Sequence, residues 1–464
     1  AGGMYGESGS AICVDAAGFI YITGSIGGTS DFGGILLSGA GAFVAKYSPG
    51  GSVIWAEKID SSQGGSYGQI IISSDSAKIY VGGDYYSQTN FGCNILPLVP
   101  SPKFLACYDA TGACQWVESF SATILSSVTI DKSNNLYFTG GFTDSAVFGN
   151  NVLNSSGGYD VYIAKCNSDG SWIWAISAGS TSTDVAEAID VDKFGHVYIT
   201  GYFELNIAFG CTSLTSTGVR DIFISCYDTS GTCKWVRQAG GGSGNQYSCG
   251  LKSDLHGNCI ITGSILDTTY FGSFTLIPSA ENMYAVNYDS TGTCMWAVES
   301  TGIGADRGSD LGIDSSGNVY VAGSLWMPGV HYFGAFPLSA SFYNFNNKYD
   351  MFLTKINNLN TGIPNLQSSL FNLQLFPNPT TGTIQLTLPV RQAGISTNHN
   401  APLECEIINM MGEKVFKSQI LNPKSQINLD VSFLAKGIYL VRVGDGKSWE
   451  NKKMMVVQRT PYGE

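Results

Sequence analysis

Charged residues make up only 13% of this 464-residue chain, about half the share usual in soluble domains. The 24 Lys and Arg against 36 Asp and Glu leave a net charge of −12. No basic stripe offsets that balance, so a nucleic-acid partner is excluded by repulsion. Histidine is scarce: the four are His196, His256, His331 and His399, none at metal-ligand spacing. The cysteines form no Cys-x-x-Cys pair, which argues against zinc, and no run of alternating acidic ligands suggests a calcium loop. No Gly-x-Ser-x-Gly elbow, P-loop or dinucleotide turn is present, so neither a cofactor nor a metal is expected. No run of about eighteen apolar residues exists, so no membrane helix is expected. Helical periodicity is missing too.

What the chain does have is glycine (58 residues), aromatic residues (24 Tyr, 24 Phe and 8 Trp) and a hydrophobic share of 44%. That combination suits many short strands joined by tight turns. A repeat organises them. Phe-Gly pairs begin at Phe32, Phe91, Phe148, Phe209, Phe271 and Phe333, in steps of 59, 57, 61, 62 and 62. Trp55, Trp116, Trp174, Trp235 and Trp296 step by 58 or 61. Each copy holds four apolar-rich runs, at 11–14, 20–23, 43–47 and 53–56 in the first. The predicted fold is therefore all-β: a β-propeller of four-stranded blades, with six repeats seen and six or seven blades, followed by a small Ig-like β-sandwich. The expected division is 1–357 for the propeller repeats, 358–370 for a polar linker and 371–459 for the sandwich.

The sixth copy ends at 352–357 without a Trp-bearing fourth run. The opening AGGMYGESGS matches the segment that follows such a run elsewhere, for example AGGGSGNQYS from Ala239. The expectation is that upstream residues supply the missing strand and close the ring.

The recurring Asp15, Asp131, Asp192, Asp254 and Asp314 tempt a catalytic or calcium reading. A residue present in nearly every blade serves the blade, and Asp before a turn caps it through an Asx-type hydrogen bond. Cys107 and Cys114, and Cys226 and Cys233, each bracket a turn, which predicts a cross-strand disulfide in each hairpin. Two free buried thiols are the alternative. Cys294 has Asn287 opposite it and hence no such partner.

Symmetry breaks in copy six. The spacing from the blade glycine to Phe-Gly is eight residues in five copies but ten between Gly323 and Phe333. The insert and the following link gather Trp326, His331, Tyr332, Tyr343 and Phe345, the candidate ligand-binding residues, which can stack on sugar rings or a peptide. Packing of the last blade is the alternative reading.

The run Asp-x-x-Gly-x-x-Tyr-x-x-Gly (Asp15, Gly18, Tyr21, Gly24; Asp192, Gly195, Tyr198, Gly201), with Phe43–Tyr47 and the Gly-x-x-x-Trp ending, resembles the SBBP β-propeller repeat. Copy two departs from it, with Asp75 one residue closer to Tyr80, and copy five has Ile260 in place of the Tyr. The C-terminal segment carries Pro377-Asn378-Pro379 with Gly382, Asn409 with Gly412, Lys436 to Leu440, and Lys452-Lys453. It resembles the type A sorting domain of the type IX secretion system, with Gly437, Tyr439, Lys452 and Lys453 as its signal residues. That resemblance implies the type IX machinery as a partner and export across the outer membrane of a Bacteroidota-like bacterium, usually with sortase cleavage and attachment to surface lipopolysaccharide. The expected function is a secreted or surface-anchored, non-catalytic binding or adhesion protein with a glycan or protein ligand. A propeller enzyme acting on extracellular polysaccharide, or a structural surface component, is the alternative.

Overall fold

A computed structural model describes residues 2–3, 6–61, 68–72, 77–302, 304–326, 329–334, 336–340, 350–356, 374–376, 383–387, 403–409, 414–420, 426–434, 437–444 and 449–456. The chain divides into two compact units, Ala1–Leu359 and Asn360–Glu464. All the described regular structure is β.

In the first unit the repeat becomes a series of antiparallel sheets. Sheet 4 is representative, running in chain order from an inner strand, Asp184–Val191, through Val197–Phe203 and Asp221–Tyr227 to an outer strand, Cys233–Ala239. Sheets 1, 2, 3 and 5 repeat this order from inner strands Glu7–Val14, Gly68–Ile72, Ile124–Ile130 and Gln246–Ser253. Sheet 6 has three described strands, Ala305–Ile313, Val319–Trp326 and Asp350–Ile356. Each inner strand packs on the next, from sheet 1 through sheet 6, which is the arrangement of propeller blades about an axis.

The repeated residues each do a structural job. The Asp192 carboxylate accepts from the backbone N–H of Phe194 (2.8 Å) and His196 (2.9 Å), an Asx turn. Asp15, Asp131, Asp254 and Asp314 do the same. The glycine closing that turn has a left-handed backbone (Gly195, φ 87°), and Asn134, which tolerates that region, replaces it in sheet 3 (φ 61°). The blade glycine has another role. In five inner strands an extra residue bulges out of the ladder, as between Ala186 and Ala188. A Cβ on Gly24, Gly201, Gly263 or Gly323 would overlap a carbonyl of the bulging strand.

The outer-strand tryptophans join neighbouring sheets. Trp55, Trp174 and Trp235 donate through Nε1 to the carbonyls of Ala110 (3.1 Å), Thr229 (3.2 Å) and Ser290 (2.8 Å), each in the last turn of the next sheet. A glycine in that turn lies against the indole; a Cβ on Gly112 would sit 3.0 Å from Trp55.

The disulfides expected at Cys107–Cys114 and Cys226–Cys233 do not form. The bridges are Cys93–Cys114 and Cys211–Cys233, with Cα separations of 5.3 and 5.6 Å. A register shift after Cys107 places Cys114 opposite Tyr108, and the same shift after Cys226 places Cys233 opposite Tyr227. Successive side chains of a strand face opposite ways. Cys107 therefore packs with Tyr80 and Phe138, whereas Cys114 packs on the other side with Tyr21 and Trp55. The partner comes instead from the Phe-Gly-Cys hairpin. Cys107 and Cys226 are buried free thiols, and burial pushes the Cys107 thiol up to about 11. Ser273 stands where Cys93 and Cys211 do, and Cys294 is free.

The second unit has seven described strands in two antiparallel sheets. One holds Gln374–Phe376, Thr383–Thr387 and Gln426–Asp430; the other holds Lys414–Ile420, Leu403–Asn409, Gly437–Gly444 and Trp449–Val456. Cys405, Ile407, Val431 and Val441 are buried in it. Buried Glu406 is neutralised by Arg442 (Nε to Oε2, 2.7 Å) and Lys414 (3.2 Å). The expected linker, 358–370, lies outside the described residues.

Candidate functional site around the axis

The joints between sheets 3 and 4, 4 and 5, and 5 and 6 share one backbone plan. The residue just before a third strand offers its carbonyl to the N–H of the next inner strand: Tyr159 to Asp184 (2.7 Å), Arg220 to Gln246 (3.3 Å), Glu281 to Asp306 (2.7 Å). Their side chains differ. At the first joint Tyr159 lies near Gly141. At the second, the Arg220 guanidinium lies 4.6 Å from the Tyr202 ring and 5.9 Å from Tyr247. It donates through Nε to Glu204 at 2.8 Å, while the two tyrosines meet edge to face with centroids 6.0 Å apart. At the third, Arg307 pairs with Glu281 (Nε to Oε1, 2.7 Å) and lies 5.9 Å from the Trp326 ring.

Next to these joints lie the bulges, where a residue leaves the ladder and its side chain is re-aimed. Those of sheets 4 and 5 are Glu187 and Cys249. Cys249 is open to solvent, yet the charges of Glu187, Arg307, Glu281 and Asp310 all bear on it, and desolvation pushes its thiol up to about 11. Desolvation also raises the Glu187 carboxyl to about 7, and among the described residues it has no hydrogen bond or ion pair.

Farther along the inner strands a polar knot joins sheets 3, 4 and 5. Asp190 accepts from Thr129 Oγ1 (3.1 Å), Ser253 N (2.8 Å) and Ser253 Oγ (2.6 Å), and lies 3.5 Å from Lys252 Nζ. The Asp190 and Asp310 charges hold the lysine's affinity for its proton above the usual value. Lys252 in turn bears on Cys13 of sheet 1, whose thiol desolvation raises to about 12.

Chemically, this group of residues offers paired charges, aromatic edges and one carboxyl poised near neutrality. It offers no activated thiol, because Cys13 and Cys249 both hold their protons. The described histidines serve the frame: His196 Nδ1 lies 2.7 Å from Asp192 in its Asx turn, and His256 follows Asp254 in another. Among the described residues no cluster of metal-ligating side chains forms.

The residues singled out in copy six separate. Trp326 ends the second strand of sheet 6, is 37% exposed and joins the axial group through Arg307. Tyr332 is exposed on the hairpin Gly329–Phe333 and Phe336–Ala340, which pairs with Thr301–Gly302 in the crossing from sheet 5. His331 is fully buried with its Nδ1 against the carboxylate of buried Asp306, so it is a packing residue and not a ligand contact. Tyr343 and Phe345 lie outside the described residues. Tyr202, Tyr247, Arg220, Arg307, Glu187 and Cys249 were missed. The available signal was their departure from the repeat: Tyr202 and Tyr247 stand where Ser25 and Ser8 stand in sheet 1.

The class is thus an all-β, propeller-type repeat body joined to a separate C-terminal β unit. Residues 374–458 match the secretion system C-terminal sorting domain. That domain marks the protein for export by type IX secretion to the cell surface or the medium. In its backbone Gly437 pairs with Val456, Tyr439 with Met454 and Asn409, and Lys452 and Lys453 with Val441 and Leu440. The chain is 23% identical over 372 residues to an uncharacterized WD repeat-containing protein of Acanthamoeba polyphaga mimivirus, covering 62% of this chain and 26% of that protein. It therefore spans about a quarter of that relative's length. Among solved structures it is similar to the Dos1 propeller (TM-score 0.34, 9% identity, 68% of this chain and 75% of that one). It is also similar to an apocarotenoid oxygenase of Synechocystis (TM-score 0.31, 11% identity, 65% and 66%). No helix among the described residues is long and apolar enough to cross a membrane.

Proposed function

We propose that this is a non-catalytic binding or adhesion protein of a Bacteroidota-type cell surface, with SBBP-like blades that recognise a glycan at the axial passage of sheets 4 to 6. The observation that carries the reading is the pair of arginine–glutamate–aromatic groups, Arg220–Glu204 with Tyr202 and Tyr247, and Arg307–Glu281 with Trp326. Aromatic edges take the apolar faces of sugar rings, and paired charges both donate to and accept from hydroxyls. Glycan-array binding by the whole chain tests this. Tyr202→Ala and Trp326→Ala should each weaken binding by about tenfold or more, since buried aromatic contacts dominate such sites. Array binding that both variants retain in full refutes the site, and no binding by the parent refutes the glycan.

Glu187 favours a second reading. A carboxyl near pH 7 is suited to general acid work, as in enzymes that cleave polysaccharides. Release of reducing ends from bound glycan, abolished by Glu187→Gln, would establish that reading over the first.

A further inference from the structure

Within each pair of neighbours the sheets bury one face against the next. Ile222 and Ile224, on the third strand of sheet 4, pack on sheet 5 and are 0% exposed, and Ile189 on the inner strand packs on sheet 3 and is 2% exposed. The matching residues at the two ends of the series are bare. Met351 and Leu353 of sheet 6 are 89% and 70% exposed; Ile12 and Val14 of sheet 1 are 67% and 59% exposed. The tryptophan latch is open at the same place. Gly112, Gly170, Gly231 and Gly292 each lie against the indole of the preceding sheet, but a Cβ on Gly51, their counterpart in sheet 1, would meet nothing within 4 Å. The neighbouring Pro49 carbonyl, counterpart of Ala110, Thr229 and Ser290, receives no donor among the described residues. A third feature lies alongside. Gly2 and Gly3 pair with Asp31 and Ser30. Elsewhere this pairing is made by the tail of the preceding sheet's outer strand, five residues beyond its tryptophan: Asp60 with Asn90, Gly179 with Ala208, Gly240 with Tyr270, Thr301 with Tyr332.

We propose that the space between sheets 6 and 1 is the seat of one more four-stranded sheet, continuous with Gly2–Gly3, whose outer strand carries a tryptophan that docks on Pro49 and Gly51. A lone strand would not suffice. Ile12 and Val14 belong to an innermost strand, and only a sheet with an inner strand of its own reaches them. Edge or face completion of this kind is how β proteins recruit a missing element.

The chain supplies its own probe, because Ala239-Gly240-Gly241 repeats Ala1-Gly2-Gly3. A copy of residues 184–238 is fused ahead of Ala1, and its controls are the same copy with its tryptophan changed to alanine and a short copy of 234–238. Met351 oxidation by dilute peroxide, read by mass spectrometry, reports whether the face is covered; thermal melting reports stability. The full copy should slow Met351 oxidation by about tenfold and raise the Tm by several degrees, with the tryptophan-less copy clearly weaker. Unchanged oxidation and Tm overturn the proposal. So does equal protection by the short copy, which would make the occupant a strand. Protection already present in the unfused chain also overturns it: in a dimer the occupant would be a second copy, and in a monomer the two end sheets would already meet.

Discussion

Removing either half of the Cys93–Cys114 bridge should destabilise the repeat body, while removing Cys107 should leave every bridge intact. The bridged residues are separated by 21 positions, and those of Cys211–Cys233 by 22. In the chain-entropy account a loop of that length is worth about 3 kcal/mol, because the cross-link restricts the unfolded chain. Spread over a unit of this size, that corresponds to a fall in Tm of about 4 °C. Cys93→Ser and Cys114→Ser should show the same fall without reductant, and the difference from the parent should vanish when reductant is added. Cys107→Ala deletes a buried thiol and leaves a small cavity, costing about 1 kcal/mol in either condition. Non-reducing peptide mapping identifies the linked segments. A cross-linked peptide joining Cys107 to Cys114 would refute the argument from register.

Two further outcomes follow from the packing. Trp235→Phe keeps most of the apolar contact with Gly292 but loses the 2.8 Å bond to Ser290, so urea unfolding should show a loss of about 1 kcal/mol. A variant as stable as the parent would mean the latch is apolar contact alone. Buried Asp184 has its carboxyl raised to about 7 by desolvation, above the ordinary value that it regains on unfolding. Between those two values the folded chain holds a proton that the unfolded chain releases. The Asp184 contribution therefore falls as pH rises through that window and is constant above it, with a span on the order of a few kcal/mol. Denaturation midpoints measured from pH 4.5 to 8 for the parent and Asp184→Asn should converge at low pH and separate toward neutrality. Parallel curves would show that Asp184 does not titrate in this window.

Much of the architecture was legible. The sixty-residue period, four apolar runs per copy and turn residues between them fix strands of known number and order, because alternation and turn chemistry are local properties. The Asx role of the repeated aspartates was legible for the same reason: Asp192 reaches N–H groups two and four residues away. The disulfides were not. Both candidate sets recur in the same two sheets, and choosing between them needs the side on which each cysteine points. A one-residue shift at Cys107 and Cys226 reverses that side, and nothing in the spacing announces it.

The candidate site divides the same way. Copy six drew notice because its insert is rich in aromatics, yet His331 lies buried against Asp306, and only Trp326 joins the axial group. Tyr202, Arg220, Tyr247 and Glu187 come from separate segments of two sheets, and their meeting depends on how successive sheets pack. The amino-acid order by itself determined the repeat, the turns, the strand sequence within each blade and the secretion domain, since each rests on contacts between near neighbours. Only the tertiary structure decided which cysteines bond, which charges meet at the axis and which sheet faces stay bare. Those outcomes depend on side-chain direction and on contacts between residues tens of positions apart.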